Sequence, residues 1–205
     1  AASVKDEDFI EHLVVVNSHD TVLCFTDGGR VFWLTVYDIP QASRNAKGRP
    51  IVNVLNLREG ERITAILQVD EYREDQYVFM ATAMGTVKKT TLDQFSRPRS
   101  SGLIACELDE GDHLVGVAIT DGSQDILMIS DAGKAVRFKE SDVRAMGRTA
   151  RGVRGIRLGE GQSVISLIVP EEGGTILTAS ARGFGKRTRV EEFPTKGRGT
   201  QGVIA

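Results

Sequence analysis

Apolar residues along this chain come in short runs closed by turn residues, as in Tyr77-Val-Phe-Met-Ala-Thr82 and Ile126-Leu-Met-Ile-Ser130. Runs of this length at regular spacing predict β-strands. Four segments share one plan of apolar strand, glycine turn and alternating or basic strand: Thr21–Ile39, Tyr77–Phe95, Asp125–Val143 and Thr175–Phe193. They align without gaps on Gly29, Gly85, Gly133 and Gly183, at spacings of 56, 48 and 50 residues, and each ends ten positions later on Ile39, Phe95, Val143 or Phe193. A glycine at one register supplies the positive φ that a tight hairpin turn requires. Between the hairpins a Leu-x-Glu-Gly step leads into another apolar strand, at Leu57–Gly60, Leu108–Gly111 and Leu158–Gly161. Val4–Val16 reads as a degenerate copy with Ile10 in the place of Ile63; a strand is expected there, with a short helix carrying Phe9, Ile10, Leu13 and Val14 on one face as the alternative.

A third repeated element follows each hairpin, a glycine-rich basic loop at Ser43–Gly48, Ser96–Gly102, Gly147–Gly155 and Thr195–Gly202. Units of about fifty residues with four strands are the pattern of propellers, in which one small sheet cannot bury both of its faces alone. The fold class expected is therefore all-β and propeller-like, with about four blades over 1–205 at approximate repeats 4–48, 49–102, 103–155 and 156–205. Four units are few for closing a ring, so the chain reads as part of a longer array.

Composition changes this picture only through the placement of charge. The 205 residues carry 26 Lys+Arg and 28 Asp+Glu, a net charge of −2 that by itself argues against a nucleic-acid partner. Yet Arg30–Arg49, Thr86–Arg99, Lys134–Arg157 and Arg182–Arg198 hold 22 of the basic and 6 of the acidic residues, +16 against −18 in the remainder. One such run is ordinarily a solvated surface. Four in register predict a curved basic track suited to a phosphate backbone, since glycine exposes backbone N–H groups while the side chains bring charge. The candidate DNA contacts are Arg44, Lys47, Arg49, Lys88, Lys89, Arg97, Arg99, Arg144, Arg148, Arg151, Arg154, Lys186, Arg187, Lys196 and Arg198. These loops lack interleaved aromatics, which favours duplex over single-stranded DNA.

Other signals lead nowhere. Gly197-Arg-Gly-Thr-Gln-Gly202 matches a dinucleotide-binding pattern without the helix or downstream acid that would give it meaning. His12, His19 and His113 have no metal-ligand spacing, and no nucleophile elbow or Walker lysine appears. Neither a cofactor nor a metal is expected. Cys24 and Cys106 read as reduced, packed thiols, which fits a reducing cytosolic compartment. No run is long and apolar enough for a membrane helix. Trp33, Phe32 and Tyr37 around the first hairpin are expected to pack in the core or at its rim.

The runs Lys134–Gly147, Gly152–Gly161, Gly85–Lys89, Arg49–Asn53 and Glu61–Leu67 closely resemble the C-terminal domain of DNA gyrase A. The resemblance covers essentially the whole chain. It implies a β-pinwheel, usually of six or five blades, whose neighbours exchange a strand and whose rim bends duplex DNA. It further implies a bacterial, cytoplasmic, nucleoid-associated protein acting with the remainder of gyrase A and with gyrase B in ATP-dependent negative supercoiling by this topoisomerase. The domain itself would be no enzyme, and Tyr37, Tyr72 and Tyr77 do not resemble the family's cleavage tyrosine. One family feature, a Gln-Arg-Arg-Gly-Gly-Lys-Gly box expected before Val4, has no match here; the loops 41–48 and 148–155 resemble it loosely. Bending without full wrapping is the expectation. The alternatives are the corresponding domain of topoisomerase IV, a protein-interaction propeller, and an enzyme with a carboxylate-lined cavity.

Overall fold

A computed structural model describes residues 13–43, 46 and 48–205. Its strands are β1 (Thr21–Thr26), β2 (Arg30–Thr35), β3 (Ile63–Val69), β4 (Tyr77–Thr82), β5 (Thr86–Thr91), β6 (Leu103–Ile104), β7 (Leu114–Thr120), β8 (Asp125–Ser130), β9 (Lys134–Lys139), β10 (Val153–Arg154), β11 (Val164–Ile168), β12 (Thr175–Ala179), β13 (Gly185–Arg189) and β14 (Val203–Ile204). The described residues hold 3-10 turns and no α-helix. Most of the Val4–Val16 segment, including Phe9, Ile10 and His12, lies outside the described residues, and Leu13–Val16 form no strand.

Three sheets have four strands each, in the orders β3-β1-β2-β6, β7-β4-β5-β10 and β11-β8-β9-β14, and β12-β13 form a fourth sheet of two. The expected blades are there, but the last is half the expected width. All named pairings are antiparallel. The outermost strand of each full sheet comes from beyond the next hairpin: β6 follows β5 yet pairs with β2, β10 follows β9 yet pairs with β5, and β14 follows β13 yet pairs with β9. Neighbouring sheets are thereby bound through shared chain as well as through packing.

The cores lie between the sheets. Val78 and Met80 join Leu23, Phe25 and Phe95 in one cluster, whereas Phe79 and Ala81 join Ile126, Met128 and Phe138 in the next. Leu127 and Ile129 then face Ile176, Val190 and Phe193. Successive side chains of a strand point to opposite faces, so a strand sandwiched between two sheets must be apolar at every position. This is why the central runs read as unbroken rather than alternating. Of the residues ten positions beyond the hairpin glycines, Phe95, Val143 and Phe193 are buried, while Ile39 is exposed because no described sheet precedes the first.

Two of the hairpin glycines, Gly29 and Gly85, meet two demands at once. Gly29 has φ 74°, and a Cβ there would stand 2.3 Å from the Cys106 carbonyl oxygen. The segment after each exchanged strand closes down on the turn of the preceding hairpin, with Cys106 N–H donating to Gly29 O at 3.0 Å and Gly155 N–H to Gly85 O at 2.8 Å. Cys24 and Cys106 are free thiols in the core, and burial pushes Cys24 up to about 11. The Gly197–Gly202 run is a structural loop, with Gly202 at φ 77° pressed against the Ala135 carbonyl.

Candidate nucleic-acid interface

Each sheet has an inner and an outer edge. β3, β7 and β11 pack successively against one another, and the exchanged strands β6, β10 and β14 occupy the opposite edges. The basic loops Ser96–Gly102, Gly147–Gly155 and Thr195–Gly202 feed those exchanged strands, so the chain delivers them to the outer edges. Gly102, Gly152 and Gly202 mark the entries, with φ of 71°, 105° and 77°.

Arg97, Arg99, Arg151, Arg154, Lys196 and Arg198 are exposed on these loops and Arg144 just before the second of them, and Arg148 is half-buried. Arg97 and Arg148, from consecutive loops, line one depression of about 280 Å³ together with Asp93, Gln94 and Ser96. Arg198 Nη1 donates to the Arg154 carbonyl at 3.1 Å and its Nε to the Asp142 carbonyl at 3.0 Å, which ties the last loop to the one before it. Arg97 and Arg148 thus share one depression across the first two loops, and Arg198 is tied to the backbone of the second loop at Arg154. Arg49 is exposed beside the 3-10 turn Ile51–Asn53, and Lys186 and Arg187 are exposed on β13. Arg44 and Lys47 lie outside the described residues.

Arg151, on the second of these loops, is exposed yet engaged by acidic side chains. Arg151 Nη1 donates to Asp109 Oδ1 at 3.1 Å, and its Nη2 lies 3.7 Å from Glu107 Oε1. Both acids belong to the turn that follows β6. With all three side chains well exposed, the pairing is weak, of order 0–1 kcal/mol.

Lys88 and Lys89 correct the sequence reading, for they are 0% and 6% exposed and do not present a cation to a ligand at the surface. Lys89 Nζ donates to the Glu140 carbonyl at 3.0 Å and lies 4.7 Å from the centre of the Tyr77 ring. Lys88 Nζ, on the other face of β5, donates to the Ala105 carbonyl at 2.7 Å and to the Arg148 carbonyl. The alignment on the hairpin glycines holds the signal that separates them from the loop arginines. Lys88 shares its register with Phe32 and Val136, both buried, and Lys89 shares its register with Trp33 and Arg137.

That second register is a repeated latch. Trp33 Nε1 donates to Phe95 O at 2.8 Å and Arg137 Nη1 to Val190 O at 2.8 Å, so three successive sheets each send one donor to the 3-10 turn of the next. Arg137 also pairs with Asp125 at 2.6 Å. At the near edge of the array Arg30 is held by Glu61 at 2.6 Å. Burial would raise the Glu61 carboxyl, but donors from Arg30, the Arg58 N–H and Thr26 hold it down at about 2. Phe32 is buried, Trp33 half-buried and Tyr37 exposed, so packing accounts for the first two aromatics alone. Among the described residues no group of His, Cys, Asp and Glu could hold a metal ion.

A family model described as DNA gyrase C-terminal domain, beta-propeller, matches residues 20–70, 76–121, 124–171 and 174–205. The chain belongs to this family. It is 60% identical over its full length to the DNA gyrase A of Salmonella typhimurium and 58% identical to that of Escherichia coli, covering 23% of each. The chain thus spans about a quarter of the length of these curated relatives. Among solved structures, the C-terminal domain of DNA topoisomerase IV superposes with a TM-score of 0.88 at 30% identity, over 98% of this chain and 63% of that one. The DNA gyrase A C-terminal domain superposes with a TM-score of 0.76 at 26% identity, over 92% of this chain and 60% of that one. The fold is therefore one that this chain shares with both groups.

Proposed function

We propose that this chain binds duplex DNA along the outer edges of its sheets and bends it, as the C-terminal part of a gyrase A polypeptide. The observation that carries this reading is that exposed arginines, among them Arg97, Arg154 and Arg198, with Arg148 beside Arg97, recur on loops that occupy one position in the repeat. A scaffold propeller has no need to segregate charge in this way. The partners are duplex DNA, the remainder of gyrase A and gyrase B, and the setting is the bacterial cytoplasm at the nucleoid. The chain contributes geometry rather than chemistry: it presents bent DNA to cleavage and ATP-hydrolysing parts that reside elsewhere in the holoenzyme and thereby supports negative supercoiling.

Bending a site of 20 to 30 bp by 40 to 90° costs on the order of 1–6 kcal/mol, more than one loop supplies, so several loops must engage together. The contacts are to phosphates, which position the duplex without reading its sequence. With about eight phosphates neutralised, log K falls against log salt with a slope near −7. The test is duplex binding over a salt series, for the parent chain and for Arg144→Glu with Arg154→Glu. The expected result is weak sequence dependence, and in the variant a large loss of affinity with a shallower slope. Binding that ignores salt, or a variant that binds as the parent does, sinks the reading. Plasmid relaxed or supercoiled by the chain alone would overturn its non-catalytic role.

A further inference from the structure

Lys88 occupies a junction of three sheets. It belongs to β5 of the second sheet; one acceptor, Ala105 O, follows the strand exchanged onto the first sheet, and the other, Arg148 O, lies in the basic loop that leaves the third. That loop and the 3-10 turn before it are drawn across β5 at three further points. Met146 N–H donates to Lys89 O at 2.8 Å, Lys89 Nζ holds Glu140 O at 3.0 Å, and Val153 and Arg154 pair with Val87 and Thr86. Between the Met146 and Val153 anchors the loop turns through an Ala150 N–H to Gly147 O bond at 3.1 Å, and Lys88 is the one side chain of β5 that grips it there. The matching positions on the neighbouring sheets, Phe32 and Val136, have no polar group to offer a loop.

A buried ammonium is costly unless its environment needs the charge. We propose that Lys88 is a positioning residue for the DNA interface: its ammonium clasps the Gly147–Gly155 loop to the three-sheet junction and so fixes the spacing of Arg144, Arg148, Arg151 and Arg154. This rests on the DNA reading above. The groups that face the ammonium are the Cys106 thiol, Glu107 and the Arg148 guanidinium. Burial first, then the Arg148 charge, lowers Lys88 from its usual 10.5 to about 8, with Cys106 and Glu107 opposing. The clasp is therefore charged at neutral pH and discharges just above it.

The linkage sign separates positioning from simple stability. Between about 8 and 10.5 the unfolded chain binds the Lys88 proton and the folded chain does not, so this residue's contribution to stability rises with pH while its grip on the loop weakens. Lys88→Met removes both effects. The experiment measures amide exchange protection of residues 147–152 and duplex affinity at fixed ionic strength, from pH 7 to pH 9, in the full chain and in Lys88→Met. The variant is expected to keep its fold and exchange its loop amides about tenfold faster. Its duplex affinity should be weaker by about three- to tenfold and flat with pH, where the parent's falls.

Unchanged loop protection in Lys88→Met, or a pH profile that persists in it, overturns the clasp. Faster loop exchange with parental DNA affinity overturns Lys88 as a positioning residue for the interface and leaves the DNA reading itself standing. Should Lys88→Met not fold, Lys88→Gln keeps a donor without a titrating charge, and the same two outcomes decide.

Discussion

Lys88-Lys89 on β5 and Lys186-Arg187 on β13 stand at the same two positions of the repeat, three and four residues beyond the hairpin glycine, and have opposite fates. The first pair is buried and satisfied by backbone carbonyls; the second is exposed. Nothing in the local sequence separates Thr86-Val-Lys-Lys89 from Gly185-Lys-Arg187 as strand-borne cations. The difference lies in what is stacked on them. β5 lies between two sheets and is flanked in its own sheet by an exchanged strand, whereas β13 pairs with β12 alone among the described residues. Basic residues in this architecture act as surface charge or as interior latch according to neighbours fifty residues away.

The hairpin glycines break that comparison most sharply. Gly29 and Gly183 share the left-handed conformation, with φ of 74° and 80°. An added Cβ at Gly29 meets Cys106 O at 2.3 Å, whereas at Gly183 it meets nothing within 4 Å. Gly29→Ala is expected to cost about 3 kcal/mol or more, from backbone strain plus displacement of the Cys106 segment. Gly183→Ala carries the strain alone, about 1 kcal/mol. Chemical denaturation of the two variants gives the difference directly, and equal costs would show that stacking does not distinguish these turns.

The latch register is next in size. Lys89→Ala removes a charged donor from Glu140 O and a cation from the Tyr77 ring, at an expected cost of about 2–4 kcal/mol. Arg187→Ala, at the same register on the two-stranded sheet, should lie within about 0.5 kcal/mol of the parent. Their effects on duplex binding should run the other way, with Arg187→Ala weakening it and lowering the salt slope by about one. A stability loss at Arg187 matching that at Lys89 would contradict the assignment of the two roles.

The repeat itself is legible in the sequence, because hairpin turns are local: Gly29, Gly85, Gly133 and Gly183 announce them, and the apolar runs between them fill the cores. Strand exchange is not legible from residues, since β6, β10 and β14 are two residues long and nothing in them says which hairpin they join. Only the family resemblance implies it. The candidate site divides along the same line. The loop arginines at Arg97, Arg99, Arg144, Arg154 and Arg198 are readable as surface because they fall in or beside glycine-containing loops outside the apolar runs, whereas Lys88 and Lys89 count as contacts by charge alone, although their register with Phe32 and Trp33 marks an interior strand. Arg137 and Arg30 fall inside basic stretches for the same reason, yet each is held in an ion pair within its own sheet.

The smallest expected effect tests how the acidic turns adjust the basic loops. In the turn after β6, Asp109 and Glu107 engage Arg151, whereas Gly159 stands where Asp109 would be in the turn after β10. A phosphate approaching Arg151 must displace these carboxylates. Exposed pairs of this kind are worth about 0–1 kcal/mol, so Asp109→Asn with Glu107→Gln should tighten duplex binding by no more than about fivefold. The gain should fade as added salt screens the pair. Glu160→Gln, in the turn that lacks the aspartate, serves as the comparison and should change binding less. If neutralising the first turn weakened binding, Arg151 would owe its placement to Asp109 and Glu107, and the acids would count as part of the interface rather than as competitors for it.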